Sequence, residues 1–75
     1  MPKAPVLSGK KLLKVLTARH FRMLRQKGSH VFVESSDGRL GTVIPVHSNE
    51  DLGKGILKSI LSDLELTVDD LRKML

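Results

Sequence analysis

Seventy-five residues with a net charge of +5 and no cysteine leave room for one domain, because a chain this short buries only roughly 60% of the surface its unfolded form exposes and cannot build two cores. The missing cysteines exclude a disulfide framework and a thiolate zinc site, so apolar packing must hold the fold. No apolar run approaches the ~18 residues of a membrane span, and Met1-Pro2-Lys3-Ala4-Pro5 lacks the apolar stretch of a secretory signal, so a soluble, cytoplasmic chain is expected.

In chain order, residues 1–7 read as a loose tail ahead of a single domain. Ser8 is a good N-cap, predicting a helix to about Arg19 with Leu12, Leu13, Val15 and Leu16 on one side and Lys10, Lys14 and Thr17 opposite. Residues 21–26, 29–35 and 41–46 read as three short strands, and their short connections imply antiparallel neighbours. Lys27-Gly28 marks the first turn, and Ser36-Asp37-Gly38-Arg39 the second, with Asp37-Gly38 the stronger signal. Pro45 cannot donate to a ladder, which places the third strand's end there or the strand at an edge. Leu52, Ile56, Leu57, Ile60, Leu61 and Leu64 define the main core helix, whose start at Lys54 or Gly55 is set by the low propensity of Gly53 and Gly55. A short last helix follows Thr67, with Asp70 at capping-box distance, although glutamate or glutamine is more usual there; Val68, Leu71, Met74 and Leu75 are its expected buried residues. The order predicts an α+β fold, a two-layer sandwich of α-β-β-β-α type with a short C-terminal helix. Its three-stranded antiparallel sheet is covered on one side, as in a double-stranded RNA-binding domain.

Charge is unevenly distributed: residues 1–39 hold nine Lys/Arg against Glu34 and Asp37, whereas residues 40–75 hold four against six acids. A basic half attracts polyanions and favours nucleic acid as partner. Within it, Arg25-Gln26-Lys27-Gly28-Ser29-His30 combines cations, a glycine turn and a histidine entering a strand. A histidine titrates near ~6.5 in model peptides and can take a proton at cellular pH, and Lys27 and Arg25 can hold an anion beside it. RNA brings its own nucleophile, the 2′-hydroxyl. Cleavage therefore needs in-line geometry, a base and positive charge on the phosphate oxygens, with no metal or other cofactor. His30 is the candidate base; Lys27, Arg25, Gly28 and Ser29 are the candidate phosphate contacts, and Lys10 and Lys11 candidate contacts to the RNA backbone. Glu50, Asp51, Asp69 and Asp70 do not have the pattern of a magnesium-binding carboxylate cluster, and the spacings of His20, His30 and His47 match no metal-ligand set. His20 is expected to cap the first helix, and His47 to bond loop backbone or form a wall of the site. Because Val31, Phe32 and Val33 are apolar in succession, alternation does not settle which face the helices; Phe32 is expected in the core, and His30 on the open face or at the sheet rim.

Four segments in register resemble the HicA toxin family: Ser8-Gly9-Lys10 at a helix start, Arg25-Gln26-Lys27-Gly28-Ser29-His30 into a strand, Pro45-Val46-His47-Ser48 after the third strand, and Lys54-Gly55-Ile56-Leu57 opening a helix, with Leu66-Thr67 near the end. The resemblance implies the ribonuclease toxin of a type II toxin–antitoxin pair, acting on mRNA with His30 as catalytic residue and silenced by a HicB-like antitoxin that covers the site. The free toxin is expected to be a monomer. Many members carry a second histidine directly after the first; here Val31 stands in that place, so the leaving-group proton must come from water, Lys27 or a residue brought near by folding. Two rivals stay open at this point, a non-catalytic double-stranded RNA-binding module and a protein-docking module that uses its open sheet face.

Overall fold

The computed structural model describes residues 4–47 and 50–75; Ser48 of the Pro45-to-Ser48 segment and the first three residues of the expected tail lie outside them. The elements run α1 (Gly9–Thr17), β1 (Phe21–Lys27), β2 (His30–Ser35), β3 (Gly41–Pro45), α2 (Lys54–Asp63) and α3 (Val68–Met74). This is the expected α-β-β-β-α order with its short third helix. None of the described helices is long and apolar enough to cross a membrane.

Local chemistry sets the boundaries. Ser8 Oγ accepts the Lys11 N–H at 3.1 Å, satisfying one orphan donor of α1. The helix stops at Thr17 with Ala18 as its C-cap, so His20 lies beyond the last turn and does not occupy the capping position expected of it. At α3 the box closes in both directions: the Asp70 N–H donates to Thr67 Oγ1 at 3.0 Å and the Thr67 N–H to Asp70 Oδ2 at 2.8 Å. Aspartate thus serves where glutamate is usual, and the Thr67 N–H, with help from the Thr67 hydroxyl, holds its carboxyl below the ordinary range. Gly53 caps α2 without a side-chain bond, and burial of Leu57, Ile60 and Leu61 carries the helix. In the β2–β3 turn the Ser35 hydroxyl donates to Asp37 Oδ1 at 2.6 Å and the Arg39 N–H to the same oxygen at 3.0 Å. These bonds, the serine's first, lower the Asp37 pKa from an ordinary 3.8 to about 2.

The sheet has the order β1-β2-β3 and both pairings are antiparallel. Val31, Val33 and Ile44 point to one face, where they join Leu12 and Leu16 of α1, Leu57, Ile60 and Leu61 of α2, and Leu64 and Leu71 in one buried cluster. The other face is open, so the two-layer arrangement holds.

Four placements are corrected. Phe32 alternates with Val31 and Val33 and therefore lies half-buried on the open face, under the Arg25 guanidinium, whose carbon stands 4.6 Å from the ring centroid. Val31 and Val33, on the opposite face of the same strand, take the core instead. Ile56 and Leu75 are about half exposed, at 50% and 56%, each bordering a surface groove. Leu7, read as tail, is buried; its carbonyl accepts the Leu52 N–H at 2.9 Å, and the adjoining Ser8 bridges Asp51.

Candidate active site

One irregularity in β1 decides which side chains meet on the open face. The β1–β2 register pairs Arg22 with Glu34 and Met23 with Val33, then slips by one residue at Leu24, so that Arg25 opposes Phe32, Gln26 opposes Val31 and Lys27 opposes His30. A bulge inserts one residue on one strand and re-aims every side chain beyond it. Without it, Arg25 would face the core opposite Val31 and Gln26 would stand across from His30. With it, Arg25 and Lys27 share the face of His30, as cross-strand pairing places directly opposite residues side by side.

The cations of this face have different commitments. Arg22 is paired with Glu34 at 2.6 Å and Arg25 stacks on Phe32. Lys27 stands exposed at the strand end, directly across the ladder from an exposed His30. Between them, the turn is held by Gly28, whose φ of 60° is the left-handed conformation that glycine adopts freely, and by the Gln26 side-chain amide, which donates to the Gly28 carbonyl at 3.0 Å. No atom outside the adjoining residues lies within 4 Å of a Cβ built on Gly28, so φ, rather than crowding, demands glycine there.

A second histidine arrives from the far strand. The β2–β3 register sets His30 opposite Pro45, the Val46 N–H donates to the Ser29 carbonyl at 2.7 Å, and the chain then delivers His47 beside His30. Their ring centroids are 6.4 Å apart with planes at 80°. His47 Nε2 lies 3.3 Å from Ser29 Oγ. Below them, α1 begins against Pro45, since a Cβ on Gly9 would fall 1.9 Å from the Pro45 carbonyl oxygen. Glycine at that position is what permits the approach.

Of the residues singled out in the sequence, His30, Lys27 and Arg25 thus share one face and Gly28 and Ser29 form the adjoining turn. Lys10 and Lys11 are exposed on α1, the helix layer, and Lys11 flanks a separate groove of about 370 Å³ with Lys14, Arg19, Met74 and Leu75. A larger groove of about 570 Å³ follows the β3 edge past Leu24, Phe32, Val43 and Ile56; neither histidine lines it. His47, seventeen positions from His30 in sequence, stands beside it in the fold; the Pro45 strand stop was the one signal that His47 leaves the sheet near its end. Among the described residues, no three of His, Cys, Asp and Glu converge as a metal site would require. Chemically, the face offers an exposed imidazole beside an ammonium and a guanidinium, a set suited to a phosphodiester.

A family model described as the HicA toxin of bacterial toxin–antitoxin systems matches residues 9–66, from the first residue of α1 to just before the cap of α3. No curated protein matches the chain.

Proposed function

The chain belongs to the HicA family and is the toxin of a toxin–antitoxin system, and we propose that it exerts toxicity as an endoribonuclease that cleaves mRNA without a metal ion. His30 is the general base that takes the proton of a ribose 2′-hydroxyl, a role worth typically ~10²- to 10⁴-fold in rate. Lys27 and Arg25 hold the phosphate and offset the charge that builds on its oxygens, and the N–H groups of Gly28 and Ser29 border the same space. DNA lacks the attacking hydroxyl and is spared. A cognate HicB-like antitoxin silences the toxin by covering the open sheet face.

The observation that carries this reading is the Lys27–His30 cross-strand pair, exposed on the uncovered face by the bulge at Leu24. Replacing His30 with alanine removes an exposed side chain, so the fold and antitoxin binding are expected to persist while growth inhibition and RNA cleavage are lost. The test is expression of the variant with and without the adjacent antitoxin, together with incubation of purified toxin and a long RNA in chelator. Intact RNA from the unaltered protein would leave a binding module, and full toxicity of His30→Ala would remove the mechanism.

A further inference from the structure

We propose that His47 is the second proton-transfer group of the site, the general acid that protonates the departing 5′-oxygen while His30 deprotonates the 2′-hydroxyl. The inference rests on the endoribonuclease reading and adds to it the donor which the sequence around His30 lacks. The residue following His30 is Val31, which is 1% exposed in the core and has no proton to give.

The step balances with two groups. His30 accepts the proton from the 2′-oxygen, the 2′-oxygen forms a bond to phosphorus, and the bond from phosphorus to the 5′-oxygen breaks. The fragments are a 2′,3′-cyclic phosphate and a 5′-alkoxide that needs a proton as it leaves. A base alone completes half of this exchange. Among the described residues, Lys27 and His47 are the titratable cations next to His30, and they differ in kind. An ammonium holds its proton tightly and is better suited to fixing charge, whereas an imidazolium releases one near neutrality and can be reloaded.

Geometry separates His47 from a bystander. Each proton transfer needs a heavy-atom approach of about 2.6–3.2 Å, and two exposed rings with centroids 6.4 Å apart can reach different oxygens of one phosphodiester. Their planes stand at 80°, so the two rings do not stack face to face and each keeps an exposed edge toward solvent. Ser29 Oγ meets His47 at Nε2, 3.3 Å away. That contact engages Nε2 and leaves Nδ1 for the leaving oxygen, as a bond at one imidazole nitrogen sets the state of the other. Ser29 is therefore a positioning residue, tied in turn to the strand end by the Val46 N–H on its carbonyl.

A leaving group that needs no proton gives the test. Once a cleavage site has been mapped on a long RNA, an oligonucleotide carrying that site is made twice, with an ordinary linkage and with sulfur in place of the bridging 5′-oxygen. His47→Ala and His47→Gln, the latter keeping a hydrogen-bonding partner for Ser29, are expected to cut the oxygen linkage ~10²- to 10⁴-fold more slowly than the unaltered toxin, the usual worth of such a group. Both should cut the sulfur linkage at close to the unaltered rate. His30→Ala should be slow on both, and Ser29→Ala intermediate on oxygen alone. If His47→Gln cuts oxygen as fast as the unaltered toxin, or if both His47 variants are equally impaired on the two linkages, His47 is not the acid. His30 would still be required in those cases, so the nuclease reading would survive. If instead His30→Ala cuts both linkages normally, that reading fails and this one with it.

Discussion

Replacing Gly9 with alanine should destabilise the toxin even though alanine is the better helix former. A methyl group at this position would sit 1.9 Å from the Pro45 carbonyl oxygen, 3.0 Å from its carbonyl carbon and 3.3 Å from Val46 Cα. All three atoms belong to backbone, so no side chain can swing aside; the helix start and the strand end must part by about an ångström. Overpacking typically costs about 1–3 kcal/mol, and rigid neighbours put this site in the upper part of that range. The propensity gain of at most ~1 kcal/mol offsets part of it. A net loss of about 1–2 kcal/mol remains, which for a domain of this size lowers Tm by roughly 4–16 °C. Gly55 is the matched control: it lies in the first turn of α2 with nothing within 4 Å of a built Cβ, so Gly55→Ala should raise Tm by up to roughly 4–8 °C, the equivalent of ~1 kcal/mol. Thermal unfolding followed by circular dichroism measures both. A Gly9→Ala protein as stable as the unaltered chain, or more so, would refute the close packing of α1 on Pro45. Because the same backbone leads to His47, cleavage should fall more than folding does in this variant.

Asp37 makes stability depend on acid. Its pKa is lowered to about 2 on folding, so its contribution is complete above an unfolded carboxyl's ~3.9 and disappears as pH falls through the folded value; urea unfolding of the unaltered chain and of Asp37→Asn should differ at pH 6 and converge toward pH 2. Thr67→Ala removes the acceptor of the α3 capping box and should cost about 0.5–2 kcal/mol, read as a shift of the urea midpoint with unchanged slope. Lys27→Gln should bind RNA more weakly and cut it up to roughly 10²-fold more slowly, the lower end of the loss when one preorganised donor is removed, with Tm unchanged; cleavage at the unaltered rate would take Lys27 out of the site.

Local rules make most of the fold readable from the residues alone. Ser8, Asp37-Gly38 and the Thr67–Asp70 pair act through bonds to backbone only a few residues away, Pro45 acts through the N–H it lacks, and the helix stripes follow from periodicity. Phe32 was misplaced because three apolar residues in a row carry no alternation, and the choice between faces was made by what lies above and below: helices over the valines, Arg25 over the ring. Leu7 escaped notice since a residue among prolines has no period to belong to, and its burial depends on a bond to Leu52 from the far end of the chain. Within the site, His30 and Lys27 were visible as neighbours in sequence, but their side-by-side placement depends on the bulge at Leu24, which no turn residue announces. The approach of His47 is wholly tertiary, produced by a strand register and one hydrogen bond to the Ser29 carbonyl.

The ends left on cleaved RNA speak most directly to whether His30 activates a ribose hydroxyl. A defined RNA and its all-deoxy counterpart, incubated with purified toxin in chelator and analysed by mass, should give from the RNA alone a fragment ending in a 2′,3′-cyclic phosphate or its 3′-phosphate hydrolysis product, and nothing above background with His30→Ala. Fragments bearing 5′-phosphates, cutting of the deoxy strand, or undiminished cutting by His30→Ala would contradict it.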